Sequence, residues 1–317
     1  MGVKSNPPTQ IFLPYQTILY NIYFVSVSLD FVNWKCYNRY MKTPLNYTGN
    51  KSRLIEQLKA HIPEKNDVFV DLFCGGGSVG LSMNAKKIFL IDNNKYVIEL
   101  SKHLSNFKFE TLLNRLEKII DKYNLTYTSK FGYGKYKKEE KDNNGYKIFN
   151  EKGFYQMRKD FNNQKNKFSK KSLDLLYMLL VYGFNNDLRF NAKGEYNLPA
   201  GKTDLNKMNI QKLKDFIKVK KEKNIEFIHG SFKDKKIKEI IFESDFLYMD
   251  PPYLITNAVY NENGGWNEFE EKKLLELMSE LNKKNKKFIL SNVLSTNKKI
   301  NSLLSNFIKI KREILTI

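Results

Sequence analysis

The chain has 317 residues, with 54 Lys or Arg against 34 Asp or Glu, a formal charge of +20. That length buries enough core for one large domain or two modest ones, and 41% hydrophobic residues is too apolar for a disordered chain. Two cysteines, Cys36 and Cys74, and three scattered histidines, His61, His103 and His229, argue against a disulfide scaffold and against a zinc site. The charge points to a polyanionic partner, nucleic acid or an anionic membrane. AT-rich codons would supply the same excess of Lys, Asn, Ile and Tyr without selection for binding, so charge alone does not decide.

Residues 11–32 are mostly apolar and aromatic, interrupted by Pro14, Gln16, Asn21 and Asp30. The run nearly reaches the roughly 20 residues of a membrane helix, but its polar breaks are badly placed and it lacks a basic lead with a small-residue cleavage site. A membrane anchor, an added structural element, and a stretch upstream of the natural start are the three readings. The last is taken for residues 1–40, with Met41-Lys42-Thr43-Pro44 as the beginning.

From Met41 the pattern is α/β. Lys51 to His61 has helical spacing at Leu54, Ile55 and Leu58, stopped by Pro63. Val68 to Phe73 reads as a buried strand, Gly75 to Gly77 as a tight turn, and Ser78 to Met83 as the start of a helix. Lys87 to Ile91 is a second strand ending at Asp92, followed by a helix from about Asn93 to Leu104. Strands alternating with helices imply a doubly wound parallel sheet. The alternation stops between residues 106 and 221, where helices are expected at 109–122, 172–181 and 206–220, with 127–150 mobile or only locally ordered. Such an insertion in an α/β sheet usually serves a substrate. The sheet pattern resumes at Glu226–His229 and Phe246–Met249. A helix over 267–282, a strand at Lys287–Ser291 and a weakly alternating final strand at Phe307–Leu315 complete the chain. The domain plan is therefore 41–105 with 222–317 for the sheet, and 106–221 for the insertion.

Gly75, Gly77 and Gly80 satisfy G-x-G-x-x-G between a strand and a helix. Glycine permits positive φ and close backbone approach, which suits a nucleotide-type ligand at a strand's carboxyl end, but a bare tight turn would look the same. Asp92 ends the next strand, where a carboxylate can accept both hydroxyls of a ribose. Dinucleotide and S-adenosylmethionine sites both use such an acid, and an N-cap role is compatible with either.

Asp250-Pro251-Pro252-Tyr253 follows an apolar strand. The two prolines fix φ and remove N–H donors, leaving carbonyls to accept. A carboxylate, a carbonyl and an aromatic face together fit a planar amino group. Accepting both its protons directs the nitrogen lone pair out of plane, towards an electrophile. A strand-ending Pro-Pro turn with an Asp cap is the structural alternative.

Five motifs in order then resemble the Dam-like class of adenine-specific DNA methyltransferases. They are Pro44-Leu45-Asn46-Tyr47-Thr48-Gly49-Asn50-Lys51, Val70-Asp71-Leu72-Phe73-Cys74-Gly75-Gly76-Gly77-Ser78-Val79, Ile91-Asp92-Asn93-Asn94, the stretch from Tyr182 to Gly201, and Asp250-Pro251-Pro252-Tyr253. The resemblance implies a Rossmann-like S-adenosylmethionine methyltransferase sheet with an inserted, mainly helical DNA-recognition domain bearing a hairpin. It also implies methyl transfer to the N6 amino group of adenine in a short duplex sequence, after the base leaves the stack.

On matching positions, Tyr47, Lys51, Phe73, Gly75, Gly77, Asp92 and Asp250 would bind the cofactor. Asp250, Pro251, Pro252 and Tyr253 would be catalytic. Phe184, Asn185, Asp187, Arg189 and Pro199 would contact DNA. Arg189 would read a guanine or clamp a phosphate. Cys74 is read as a small packing residue, and neither a cysteine nucleophile nor a metal is expected. The expected partners are double-stranded DNA and, in a restriction-modification setting, a cognate restriction endonuclease. The chain is expected to be monomeric and cytoplasmic.

Family members continue past the strand resembling Phe307–Leu315 with one more strand, so a bare sheet edge is expected here. An inactive DNA-binding relative is therefore a rival reading. So is a methyltransferase acting on RNA or a protein glutamine, although those often carry Asn where Asp250 stands. Amino-cytosine enzymes more often carry Ser there. A nicotinamide dehydrogenase leaves Asp250-Pro251-Pro252-Tyr253 unexplained.

Overall fold

The computed structural model describes residues 16–20, 43–45, 51–136, 145–255, 265–296 and 299–314. The chain forms two compact units, Tyr37–Tyr248 and a second made of Met1–Cys36 with Met249–Ile317.

In the larger unit, β2 (Asn66–Leu72), β3 (Ala85–Asp92), β4 (Ile225–His229) and β5 (Phe246–Met249), whose last residue falls in the second unit, are ordered β5-β2-β3-β4. β2 pairs parallel with β3 (Val70 opposite Phe89, Leu72 opposite Ile91), and β3 pairs parallel with β4 (Asp92 opposite His229). The chain thus steps outward from β2 to β4 and returns to the other side of β2 for β5. The strand order reverses at β2, the place where open α/β sheets carry their ligands. Phe69, Val70, Ile88, Leu90 and Ile91 are completely buried, as the near-continuous apolar runs of interior parallel strands require. The first helical segment is shorter than its pattern: a 3-10 turn at Ser52–Leu54 precedes α1 (Ile55–Lys59). α2 (Ser78–Ser82) follows β2, and α3 (Lys95–Ser105) follows β3.

Residues 106–221 contribute α4 (Phe109–Tyr123), α5 (Thr128–Phe131), α6 (Lys147–Asn162), α7 (Lys170–Tyr182) and α8 (Lys207–Glu222) to this same unit. α7 is buried from Ser172 to Tyr182 on every side, so it is the axis on which α3, α4 and α6 pack. Its one acidic residue, Asp174, is buried and doubly paired. His103 Nε2 of α3 lies 2.7 Å from one carboxylate oxygen, and the Arg115 guanidinium of α4 bonds the other. Of the stretch 127–150, expected to be mobile or only locally ordered, residues 137–144 lie outside the described residues. On either side the backbone is pinned: Thr128 donates from N and Oγ1 to buried Asp204 (2.8 and 2.7 Å), and Asn150 exchanges bonds with Thr126 (2.7 and 3.0 Å).

In the smaller unit, β6 (Lys287–Asn292) pairs antiparallel with β1 (Gln16–Tyr20), Ile18 opposite Leu290. The segment read as upstream of the start therefore supplies a strand, and β6 is not left bare. The rest of residues 1–40 lies outside the described residues. The expected final strand at Phe307–Leu315 is instead α11 (Ser302–Ile314). Asn301 Oδ1 caps it by accepting from Leu304 N at 3.1 Å, and Leu304 and Ile308, one turn apart, are both buried. The isoleucines at 308, 310 and 314 imitate strand alternation, but the buried pair follows the helical interval. α11 packs on α10 (Glu268–Lys283) around buried Glu271, whose two oxygens accept from Trp266 Nε1 (2.7 Å) and Asn301 Nδ2 (2.8 Å). α9 (Lys235–Glu243) packs on β2 in the larger unit. No helix among the described residues is long and apolar enough to cross a membrane.

Candidate functional site

The turn after β2 is built from three left-handed residues, Phe73 (φ 64°), Gly75 (49°) and Gly77 (75°). The two glycines take that region freely; a phenylalanine there is strained by about 1–2 kcal/mol. Surrounding bonds hold it. Cys74 N donates to Ile91 O of β3 at 3.0 Å, Gly77 N closes the turn on Cys74 O at 2.7 Å, and the Phe73 ring packs on Phe232 at 5.6 Å. Strain maintained by its neighbours is a mark of a functional turn.

Asp71, buried in β2, points its Oδ2 at the N–H of Gly80 (2.8 Å) and so fixes α2 against the strand. Gly80 itself has no room for a side chain, because a Cβ there would sit 2.3 Å from Leu90 Cδ2.

Asp92, at the end of β3, is joined to this turn directly. Its Oδ2 accepts from Gly75 N at 2.9 Å and its Oδ1 from Asn94 N at 2.8 Å. Burial raises its pKa, against the lowering influence of the Asn94 and Gly75 N–H groups and of His229. Each carboxylate oxygen has a second lone pair, so the group can still accept two hydroxyls of a diol. The N-cap of α3 is Asn94, whose side chain accepts from Tyr96 N at 3.0 Å, so the cap reading of Asp92 does not hold; Asp92 instead fixes the cap residue by accepting from Asn94 N. Cys74 lies between the acids: burial first, then Asp92 and Asp71, push its thiol well above the ordinary range. A raised thiol pKa disfavours the thiolate form.

Lys51 is buried at the head of the Ser52–Leu54 turn, its carbonyl accepting from Leu54 N at 2.8 Å. Tyr47 lies outside the described residues.

Asp250-Pro251-Pro252-Tyr253 follows β5 without a break. Pro251 is buried, whereas Asp250, Pro252 and Tyr253 are half-buried. The Tyr253 hydroxyl donates to Asp250 Oδ1 at 3.0 Å, so the turn brings the end of the tyrosine side chain back to its own carboxylate.

Phe184, Asn185, Asp187, Arg189 and Pro199 share one hairpin. Its two antiparallel bridges are Gly183 with Ala200 and Phe190 with Tyr196. Phe184 N donates to Pro199 O at 3.0 Å, Asn185 and Asn186 are both left-handed (φ 55° and 52°), and the Phe184 ring is 46% exposed. Asp187 Oδ1 accepts from Leu188 N at 2.8 Å. Arg189 Nε donates to Asn197 Oδ1 across the hairpin at 3.0 Å, which aims the guanidinium fork. The tip is an Asn191 turn: its side-chain oxygen accepts from Lys193 N and Glu195 N, both at 3.0 Å, and Gly194 has φ 73°.

A match over most of the chain decides the family. Residues 47–317 fit the model of the D12 class of N6 adenine-specific DNA methyltransferases. The chain belongs to that family. It is 38% identical over 278 residues to the type II methyltransferase M.FokI of Planomicrobium okeanokoites, and 31% identical over 279 residues to the modification methylase StsI of Streptococcus sanguinis. Those matches take in 86% and 85% of this chain but 39% and 38% of the relatives, so the chain spans about two fifths of their length. The DNA adenine methylase of Escherichia coli K12 is 26% identical over 217 residues, 68% of this chain and 66% of that protein.

Phe73, Gly75 and Gly77 share the turn after β2, which Gly75 N joins to Asp92; Asp250 and Tyr253 bond each other, and the five hairpin residues lie on one hairpin. Several positioning residues carry no signal of their own in the sequence. Asp71 sits unremarked inside the second motif, although an acid in an apolar strand is itself unusual. Asn162 brackets Tyr196 with two backbone bonds (2.9 and 3.0 Å), and Arg158 holds Leu198 O at 2.8 Å. Both act from α6 on the far strand of the hairpin, a pairing that no local pattern announces.

Proposed function

We propose that the chain is a site-specific DNA methyltransferase that methylates the exocyclic N6 amino group of adenine in a short duplex sequence. The observation that carries this reading is the Asp250-Pro251-Pro252-Tyr253 turn standing directly after β5 in a chain of the D12 family. The Asp250 carboxylate and the Pro251 carbonyl accept the two amino protons of an extruded adenine, and the Tyr253 ring stacks on the base. Holding both protons in plane leaves the nitrogen lone pair directed at the electrophile. Most of the rate then comes from positioning and from preorganised acceptors.

The cofactor is S-adenosylmethionine, and the turn after β2 fits it: three left-handed residues open the backbone, and Asp92 keeps two lone pairs for a ribose diol. When bound, it supplies an electrophilic sulfonium methyl group. Phe73, Gly75 and Gly77 would cradle it and Asp92 would take the ribose; by the resemblance, Tyr47, Lys51 and Asp250 are the further cofactor residues. Residues 106–221 form the target-recognition domain, in which Phe184, Asn185, Asp187, Arg189 and Pro199 meet DNA; residues 41–105 and 222–317 form the catalytic domain. The names of the relatives, a type II methyltransferase and a modification methylase, favour a restriction-modification role with a cognate endonuclease as partner.

The test is methyl transfer from labelled S-adenosylmethionine to unmethylated duplex DNA, with RNA as a parallel substrate. Label mapped to adenine N6 in DNA is the expected result. Label in RNA alone, or none from a folded chain that binds the cofactor, overturns the reading.

A further inference from the structure

Beyond the hairpin, the larger unit carries an ordered aromatic and basic patch on α5 and the 3-10 turn that follows it, Tyr133–Tyr136. The Phe131 ring is 47% exposed and Tyr133 is 59% exposed, although both belong to a cluster whose inner member, Tyr127, is buried. Tyr133 stacks on Tyr146 at 6.0 Å, and the Lys135 ammonium sits 3.6 Å from the centre of the Phe131 ring. Lys130 lies 5.7 Å from that ring, with Glu117 at 3.7 Å.

The patch is anchored to the segment that follows the hairpin. Thr128 is fixed to Asp204, and Tyr146 N donates to Lys202 O at 3.4 Å; Lys202 and Asp204 are the residues by which the chain leaves the hairpin after Gly201. A protein does not usually fix large rings at its surface without something to cover them. Ammonium groups for phosphates, a phenol to donate to them, and a ring to pack on deoxyribose make up the chemistry of a nucleic-acid backbone. A net charge of +20 favours the same partner.

We infer that Lys130, Phe131, Tyr133 and Lys135 form a second DNA-contacting surface, which grips the sugar-phosphate backbone of the duplex beside the stretch read by the hairpin. The inference rests on the DNA-methyltransferase reading. This surface contributes affinity and register, not base choice.

The experiment measures binding of a fluorescently labelled duplex DNA across a salt series. It compares the full chain, the double variant Lys130→Gln/Lys135→Gln, and Tyr133→Ala. Thermal melts confirm folding, and labelled RNA of equal length runs alongside. For the double variant, the slope of log affinity against log salt falls by about 0.9 for each phosphate that the lysines no longer neutralise. Its preference among DNA sequences and its methyl-transfer rate at saturating DNA stay unchanged. Tyr133→Ala binds more weakly at an unchanged slope. Slopes and affinities matching those of a wild-type chain that does bind and methylate DNA overturn this inference alone. A wild-type chain that binds no duplex, or that binds RNA in preference, overturns this inference and the proposed function together.

Discussion

Tyr96, in the first turn of α3, stacks on Phe190 of the hairpin with ring centres 4.1 Å apart and planes 15° from parallel. Phe168 flanks the same ring at 5.1 Å. The other end of this connection is Asp92: it accepts from Asn94 N, and the Asn94 side chain caps α3 by accepting from Tyr96 N at 3.0 Å. A carboxylate assigned to the cofactor and a strand assigned to DNA are therefore linked through one helix cap and one ring stack. A stacked pair contributes about 0.5–1.5 kcal/mol beyond its buried area, or roughly 2- to 10-fold in an equilibrium constant. Tyr96→Ala should weaken duplex binding by that factor and raise the KM for DNA, while cofactor affinity changes little. Tyr96→Phe, which keeps the ring, should behave as wild type. Titrations of both ligands check this; equal losses for both would show that the ring supports the cofactor strand instead of the hairpin.

Gly80 and Gly194 separate two uses of glycine. A Cβ at Gly80 would meet Leu90 Cδ2 at 2.3 Å and Asp71 Oδ2 at 3.0 Å, whereas Gly194 has open space but φ 73°. Gly80→Ala overpacks the core beneath the turn and should cost about 1–3 kcal/mol, with cofactor binding impaired. Gly194→Ala should cost about 1 kcal/mol from backbone strain alone, with much of it recovered by Gly194→Asn. Chemical denaturation of the three variants gives the comparison.

Asp92 sets a direction for pH dependence. Burial raises its pKa, so the folded chain holds that proton more tightly than the unfolded chain does. Its contribution to fold stability is thus present in acid and is lost as pH rises through the folded value. Acidification does not unfold the protein through this group. It does convert an anionic acceptor into a neutral acid, and charge-assisted bonds to a diol weaken with it. Cofactor affinity should therefore decline on acidification, beginning above the range of an ordinary aspartate, while circular dichroism stays constant. In Asp92→Asn affinity should be low and flat across the same range. An unchanged wild-type affinity down to the pH of acid unfolding would remove Asp92 from the ribose.

The strands and the turn are legible because burial repeats what the sequence already says: Val68–Leu72 and Phe246–Met249 are largely apolar runs, and glycines mark the turn after β2, where the backbone turns left-handed. Phe73 shares that conformation with no sequence sign, since only its neighbours' bonds impose it. Strand β1 and helix α11 escape a reading of the sequence for a common reason. Each is decided by what lies beside it, β6 for one and the Glu271–Asn301 cluster for the other, and a short apolar run is ambiguous until a partner selects its period. The hairpin residues can be named from the motif, but the α6 residues that hold them, Arg158 and Asn162, lie some 34 to 40 positions away along the chain.

Arg189 is the hairpin residue with the most specific chemistry. Its Nε is engaged by Asn197, so the remaining guanidinium N–H groups present a fork of fixed orientation. Arg189→Ala should relax sequence preference at a cost of about 1–3 kcal/mol, with non-specific binding nearly intact. Asn197→Ala should give a smaller loss of the same kind by releasing the fork. Rates on the cognate site and on single-base variants decide between base reading and a phosphate clamp. Uniform weakening on every sequence identifies the clamp.

Tyr253 gives its hydroxyl to Asp250 at 3.0 Å, yet the chemistry assigned to Tyr253 needs only its ring. The bond has a positioning use: it steadies both groups before a base arrives, and one oxygen of the carboxylate can accept from the phenol while the other takes an amino proton. Asp250→Ala should abolish methyl transfer while duplex binding largely survives, because the group acts on the extruded base and not on the backbone grip. Tyr253→Phe keeps the stacking face and loses one hydrogen bond, worth about 0.5–1.5 kcal/mol, so its rate should fall roughly 2- to 10-fold. Tyr253→Ala loses the stack as well, worth about 1–3 kcal/mol per base, and should fall further by roughly 5- to 150-fold. Single-turnover rates with saturating DNA isolate the chemical step. Phe and Ala variants of equal rate would show that the ring does not stack on the target, and full turnover by Asp250→Ala would remove the carboxylate from the mechanism.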